Sequence, residues 1–220
     1  MAESIKALRA ETIEGKPVAR FCNLTLADLS DYDVLVDVAY SSLNYKDGLA
    51  ITGTAKIARR LPLVLGIDLA GTVAESKNPD WRAGDKVIIN GYGLSENENG
   101  GYAQKQRVKS EWLVRLPSAF SLSEAMAIGT AGYTAMLAVN ALEEAGLGHG
   151  GAKGSSREVV VTGAAGGVGS TAVVLLAELG HRVVAVTGRP DTHDYLRSLG
   201  ASDFIDRAAF LEKEIGRAHV

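Results

Sequence analysis

One cysteine, Cys22, stands in 220 residues. It can close no internal disulfide and supply no thiolate cluster, which excludes a disulfide scaffold and a cysteine-ligated zinc site. The four histidines, His149, His181, His193 and His219, are scattered without metal-ligand spacing, so no metal is expected. Neither sign of charge dominates: 23 Lys and Arg stand against 26 Asp and Glu, a formal net charge of -3. That balance gives no reason to expect a nucleic-acid or anionic-membrane partner. No apolar run approaches the ~20 residues that cross a bilayer. Residues 1–11 mix both charges and hold no continuous apolar stretch, unlike a secretory signal. A cytoplasmic address is the expectation. Prolines number only five, whereas glycines number 25. Glycine without proline is not a linker composition, and these glycines should mark tight turns and close backbone approaches. With 46% apolar and 22% charged residues, the chain reads as folded and globular.

The pattern changes near residue 120. Before it, short segments alternate with turn signals: Val34–Tyr40, Gly71–Glu75, Lys86–Ile89, Tyr102–Val108 and Trp112–Leu116. Many short strands at turn-punctuated intervals predict an all-β unit, a partly open barrel. After it, Ser121 and Glu124 match a capping box, opening a helical stretch to about Ala145 with a break at Gly129–Gly132. Residues 146–156 read as a loop. Strand Glu158–Thr162, helix Ser170–Leu179, strand Arg182–Thr187, helix Asp191–Leu199 and strand Asp203–Asp206 follow. This β-α-β-α-β order is half of a doubly wound nucleotide-binding sheet. The fold class is therefore α/β plus β, with domains at residues 1–120 and 121–214.

The segment Thr162–Ser170 (TGAAGGVGS) lies where a strand ends and a helix begins. A pyrophosphate must reach the first amides of that helix, and a side chain at the turn would block it. The spacing departs from G-x-G-x-x-G at its first position, Ala164, but sits in the β-α-β context that gives the motif its meaning. An NAD-preferring site carries Asp or Glu at the end of the second strand for the ribose 2′-hydroxyl. Here that strand ends Thr187-Gly188-Arg189. A guanidinium suits a phosphate by charge and by paired donors, so NADP(H) is expected over NAD(H). Arg207, just after the third strand, adds charge to the same rim.

Taken together, Ser41–Asp47 (SSLNYKD), Ala50–Gly53 (AITG), Gly66–Gly71 (GIDLAG), Ile128–Leu137 (IGTAGYTAML) and Thr187–Arg189 (TGR) closely resemble the zinc-independent acrylyl-CoA reductases. These belong to the medium-chain dehydrogenase/reductase superfamily and are often described as quinone oxidoreductases. The resemblance runs from the start of the chain to about Glu214. It implies a GroES-like barrel followed by a Rossmann domain, and NADPH-dependent reduction of acrylyl-CoA to propionyl-CoA. Hydride would reach the β-carbon, a proton the α-carbon, and the thioester carbonyl would be polarised as enolate charge develops. It also implies that Tyr45 lines the cofactor, that Ala165, Gly166, Gly167 and Val168 form the pyrophosphate turn, and that Thr187, Gly188, Arg189 and Arg207 surround the adenosine phosphate. Zinc-dependent relatives carry Gly-His-Glu where this chain has Gly66-Ile67-Asp68, so the histidine ligand is gone. Asn44, Asp47 and Asp68 remain as polar groups for the nicotinamide pocket, with Tyr45 as stacking group or proton donor.

The alternatives to catalysis by Asp47 and Asp68 are that Asp68 satisfies backbone amides in a turn and that Asp47 pairs with Lys46 or solvent. Two rivals to the acrylyl-CoA activity remain open. One keeps the fold and reduces a quinone or another enone; the other is a non-catalytic NADP(H)-binding protein. The resembling family continues for roughly another hundred residues, with the second half of the nucleotide fold and a homodimer edge. Residues 215–220 (IGRAHV) match the translation of a common sequencing adapter. The expectation is that native sequence is interrupted at about Glu214, that the tail is a read-through artefact, and that the full-length enzyme is active whereas this chain alone is not.

Overall fold

A computed structural model of the chain describes residues 4–148 and 158–212. The expected tail at 215–220 and most of the loop at 146–156 lie outside the described residues. Two compact units divide the chain, Met1–Thr130 and Ala131–Val220. The division falls ten residues beyond the boundary expected from the change in periodicity, inside a helix rather than at its start.

The first unit opens with a hairpin that the periodicity does not reveal. β1 (Ile5–Ile13) and β2 (Lys16–Leu24) pair along their whole length. Their two-residue turn, Glu14-Gly15, holds φ of 48° and 77°, the left-handed pair that matches the twist of adjoining strands. β3 (Val34–Tyr40) follows, then the short helix α1 (Tyr45–Thr52), β4 (Leu63–Val64), β5 (Asp68–Ser76), β6 (Lys86–Asn90), β7 (Lys105–Val108) and β8 (Val114–Arg115). Two antiparallel sheets result, ordered β2-β1-β4 and β7-β3-β5-β6-β8, as expected of a partly open barrel.

Two expected strands are shorter than the pattern suggested. Tyr102 lies outside β7 because its amide bonds the Leu65 carbonyl (2.9 Å) and its own carbonyl takes the Leu8 amide (2.8 Å). Trp112 lies in a 3-10 turn, Ser110–Trp112. Its ring is buried against Tyr32 and Tyr92, beside the core of Val34, Val36, Leu69 and Ile89. Cys22 packs partly buried at the edge of a second cluster containing Ile5, Leu24 and Val64.

α2 (Leu122–Glu144) begins at the expected capping box: the Ser121 amide donates to Glu124 Oε2 (2.7 Å) and the Glu124 amide to Ser121 Oγ (3.2 Å). Its 23 residues are long and apolar enough to cross a membrane by length and composition, which corrects the expectation of no such run. Gly129, with φ 51° and ψ -161°, breaks it into two helical pieces, each shorter than the ~20 residues a straight span needs.

The second unit adds β9 (Glu158–Thr162), α3 (Gly167–Glu178), β10 (Arg182–Thr187), α4 (His193–Ser198), β11 (Ala201–Asp206) and α5 (Arg207–Glu212). The strands are parallel, ordered β11-β10-β9, the 3-2-1 arrangement of a mononucleotide-binding half. Val139, Val161, Val173, Leu176, Val183 and Leu196 form its core. α3 starts three residues before the apolar stretch that predicted it, so the glycines themselves build its first turn.

Candidate active site

In the second unit the turn after β9 brings α3 to its strand at very short range. A Cβ at Gly169 would stand 2.3 Å from the Gly163 carbonyl oxygen and 2.7 Å from Ala164 Cα, so only glycine lets helix and strand meet. Gly166 is the N-cap, and Gly167 and Val168 open the helix. The Gly166 amide closes the turn on the Gly163 carbonyl (2.9 Å), whereas the amides of Gly167 and Val168 have no acceptor within the helix, and the helix dipole adds partial positive charge at the same point. Gly166, Gly167 and Val168 are all exposed, so the amides can be reached.

A cleft of about 440 Å³ lies beside this turn, lined by Gly163, Ala165, Gly166, Val186, Thr187, Gly188, Arg189 and Arg207. Six of the nine residues expected at the cofactor therefore share one cleft; Gly167 and Val168 open α3 next to Gly166, and Tyr45 belongs to the first unit. Arg189 reaches back across the turn and donates from Nη2 to the Ala165 carbonyl (3.0 Å). The Thr187 hydroxyl accepts the Arg189 amide (3.1 Å) and so shapes the bend. Arg207 lies against Gly188, whose Cβ would sit 3.4 Å from Arg207 Nε. Among the described residues neither guanidinium has a carboxylate partner. Asp206, next to Arg207 in sequence, caps α5 through the Ala208 amide (2.8 Å). A glycine cradle with two unneutralised guanidiniums fits a dinucleotide diphosphate at one end and an extra phosphate at the other.

The first unit gathers the other expected residues differently. Asn44 and Asp47 form a capping box for α1: the Asn44 amide donates to Asp47 Oδ2 (2.9 Å) and Asn44 Nδ2 to the same oxygen (3.1 Å). Asp47 Oδ1 takes the Ile67 amide (3.1 Å). Lys46 pairs with Glu96 instead, so Asp47 meets neither Lys46 nor solvent; it is fully buried. Burial pushes its carboxyl above the usual aspartate range, against the hydrogen bonds from Asn44 and Ile67. Tyr102 lies close by and donates to the Ser42 carbonyl (2.9 Å). Burial, and then the charge of Asp47, hold its hydroxyl above the ordinary tyrosine range.

Asp68 is also fully buried and is the hub of a larger network. Its Oδ2 accepts from Ser42 Oγ, Asn44 Nδ2 (3.3 Å) and the Thr130 amide (2.9 Å); its Oδ1 accepts from Asn90 Nδ2 (2.8 Å) and Thr130 Oγ1 (2.5 Å). The break at Gly129 makes this possible, since it frees the Thr130 amide from the helix and turns it toward the carboxylate. A Cβ at Gly129 would come 3.2 Å from Asp68 Oδ2, at a φ of 51° that favours glycine. Asp68 therefore satisfies one backbone amide, together with three side chains and the hydroxyl of Thr130. Tyr45 differs from its neighbours. It opens α1 with 85% of its surface exposed, which suits a ligand contact and not a packing role.

Ser42, Asn90, Tyr102 and Thr130 join this network without having been expected there. No spacing signals them, because they approach Asp47 and Asp68 from four separate parts of the chain. His193 stacks on Phe204, with ring centroids 4.1 Å apart.

Comparison with known proteins places these two constellations in context. Residues 30–118 match the alcohol dehydrogenase GroES-like domain. The chain is 52% identical over 208 residues to the probable acrylyl-CoA reductase AcuI of Escherichia coli, covering 94% of this chain and 63% of that protein. The crystal structure of the yhdH oxidoreductase from Salmonella enterica in complex with NADP superposes with a TM-score of 0.91 at 51% identity, covering 98% of this chain and 65% of that one. Bacillus subtilis yhfP, solved with NAD bound, gives 0.86 at 45% identity, covering 94% and 61%. The chain thus spans a little under two thirds of the length of these relatives.

Proposed function

Since the chain belongs to the medium-chain dehydrogenase/reductase family, we propose that this protein reduces the carbon–carbon double bond of acrylyl-CoA, giving propionyl-CoA at the expense of NADPH. The observation that carries the cofactor is the cleft in which Arg189 and Arg207 flank Thr187-Gly188 with no carboxylate beside them. The acceptor rests on the likeness to AcuI.

In this reading the first amides of α3 hold the diphosphate, and Arg189 and Arg207 hold the 2′-phosphate. When bound, the nicotinamide supplies the hydride that adds to the β-carbon. Tyr45, exposed at the start of α1, contacts the bound ligands. Asn44, Asp47 and Asp68 act as positioning groups: the Asp47 capping box sets the start of α1, and the Asp68 hub ties α1, β5, β6 and Thr130 to one point. Both carboxylates are shut off from solvent, so the proton that reaches the α-carbon comes from another group or from water. The reading takes small-molecule partners only, needs no metal ion, and includes a homodimeric assembly and a cytoplasmic address, which light scattering and fractionation test.

The decisive experiment titrates NADPH and NADH separately into the protein, followed by nicotinamide fluorescence. Acrylyl-CoA or a benzoquinone is then added and nicotinamide oxidation recorded. Binding of NADPH about tenfold tighter than NADH, a difference of about 1.4 kcal/mol, with propionyl-CoA as product, is the expected result. The NAD found in yhfP makes the NADH arm the critical control. Oxidation driven by the quinone and not by acrylyl-CoA would replace the acceptor. Tight NADPH binding without turnover of either would leave a nucleotide-binding protein.

A further inference from the structure

Between Ser41 and Ile67 the chain carries four cations, Lys46, Lys56, Arg59 and Arg60, and a single carboxylate, Asp47. That carboxylate is buried. In a chain of net charge -3 this is a concentrated positive region, and it lies entirely within the first unit. Glu96 clamps part of it. Lys46 Nζ pairs with Glu96, Arg59 Nη2 stands 3.6 Å from the same carboxylate, and the Arg59 amide donates to the Glu96 carbonyl (2.8 Å). Arg60 Nε donates to the Asn97 carbonyl. One exposed-side carboxylate thus holds two cations, while Lys56 and Arg60 have no acidic partner among the described residues.

The same loop roofs a groove of about 330 Å³. Its walls are mainly apolar: Ala10 of β1, Pro17 of β2, Ala50 of α1, and Ile57, Ala58 and Leu61 of the loop. Lys56 lines it as well, and Arg59 and Arg60 stand in sequence between two lining residues. At 1.5 Å per residue α1 is about 12 Å long. Tyr45 marks its first turn, and Ala50 and the Gly53 that ends it line the groove. An exposed aromatic, a largely apolar groove and exposed cations therefore belong to one short stretch of the first unit.

We propose that this groove and its basic rim bind the CoA portion of the acceptor, in which a narrow pantetheine arm joins the acyl end to the phosphates. The acyl end would lie toward Tyr45, the pantetheine arm would run beside α1 into the groove, and the diphosphate and 3′-phosphate would meet Lys56 and Arg60. Apolar lining alone would take any greasy ligand; the unpaired cations select one that ends in phosphates. The inference rests on the acyl-CoA reading above and adds to it the residues that recognise the carrier.

The test is hydrogen exchange of the intact chain with CoA, with dephospho-CoA and with NADPH, paired with titrations of two variants. CoA should slow exchange of the amides at 53–61, dephospho-CoA should do so more weakly, and NADPH alone should leave them unchanged. The double variant Lys56→Glu/Arg60→Glu should weaken CoA binding tenfold or more, as expected for lost charge-assisted contacts. It should leave NADPH binding and the melting temperature unchanged. Lys56→Arg/Arg60→Lys, which keeps the charge, should retain most CoA affinity. Equal CoA affinity in wild type and the charge-reversed variant, or protection by CoA elsewhere and not at 53–61, would overturn the site while sparing the acceptor. Protection of 53–61 by NADPH alone would overturn it in favour of a general phosphate patch. NADPH binding with no CoA binding at all would remove both the site and the acyl-CoA reading.

Discussion

In the proposed reading Arg189 carries the discrimination between the two nicotinamide cofactors. Its side chain is exposed and, among the described residues, its side-chain hydrogen bond goes to a neutral carbonyl, that of Ala165, so its charge is available to a phosphate. Hydrogen bonds to charged groups contribute about 1.5–3 kcal/mol. Arg189→Ala should accordingly weaken NADPH binding about tenfold to a hundredfold and leave NADH binding nearly unchanged, measured by paired fluorescence titrations. Equal losses for both cofactors would mean that the residue shapes the turn and does not read the phosphate. Arg189 was legible in the sequence because its position is local, two residues past the end of a strand. The Asp68 hub was not legible, since its partners Ser42, Asn90 and Thr130 lie 26, 22 and 62 residues away. Asp47 offers a pH test of the same region. Its carboxyl titrates above the usual aspartate range because burial penalises the charge. Its contribution to stability is therefore fully present in acid, below the unfolded value, and is lost as pH rises through the raised folded value. Asp47→Asn abolishes that loss, so the stability of wild type relative to the variant should fall between acid and neutral pH. Thermal melts of both proteins across that range provide the measurement, and parallel curves would contradict the burial argument.

At the scale of elements, two glycines three residues apart have separable duties. At Gly169 a Cβ would lie 2.3 Å from the Gly163 carbonyl oxygen, whereas at Gly166 the nearest atom stands at 3.3 Å. Gly169→Ala must push α3 off its strand and should cost about 1–3 kcal/mol, as overpacking does. Gly166→Ala should fold almost normally yet lose nucleotide affinity, since its methyl group would stand where the diphosphate approaches the amides. Chemical denaturation read beside NADPH titration separates the two. This turn was the most legible part of the molecule, because strand, glycines and helix follow one another without interruption. The parallel strands Glu158–Thr162 and Arg182–Thr187 were equally plain as apolar runs. The β1–β2 hairpin escaped notice for two reasons. Its turn is Glu14-Gly15, not the asparagine- or aspartate-glycine pair that marks such turns. The burial along β1 also breaks strict alternation, with Ile5, Ala7 and Ala10 buried.

The chain as a whole is two units with different ligands assigned to each, and one sheet edge that carries a liability. β9 pairs only with β10 among the described residues, and Val160 on it is 43% exposed. An apolar strand with a free edge invites pairing with another chain. Sedimentation should show self-association that grows with concentration, and Val160→Lys should reduce it; a monomer at all concentrations would show the edge to be protected.

The division into units also sets how ligands should act on stability. A ligand that binds only the native state stabilises the unit that holds it by about 2.7 kcal/mol at a hundred times its dissociation constant. The glycine cradle, Arg189 and Arg207 all belong to residues 131–220, whereas the groove of Lys56 and Ala50 belongs to residues 1–130. NADPH should therefore raise the unfolding midpoint of the nucleotide-binding unit, and CoA that of the barrel unit. The barrel holds both tryptophans, Trp81 and Trp112, so indole fluorescence reports on it alone. Far-ultraviolet circular dichroism reports on both units. In denaturant titrations NADPH should shift the dichroism transition more than the tryptophan transition, to which it is tied only through Tyr45, and CoA should shift the tryptophan transition. If both ligands move both probes together, the two units unfold as one, and the assignment of each ligand to its own unit must then rest on exchange protection.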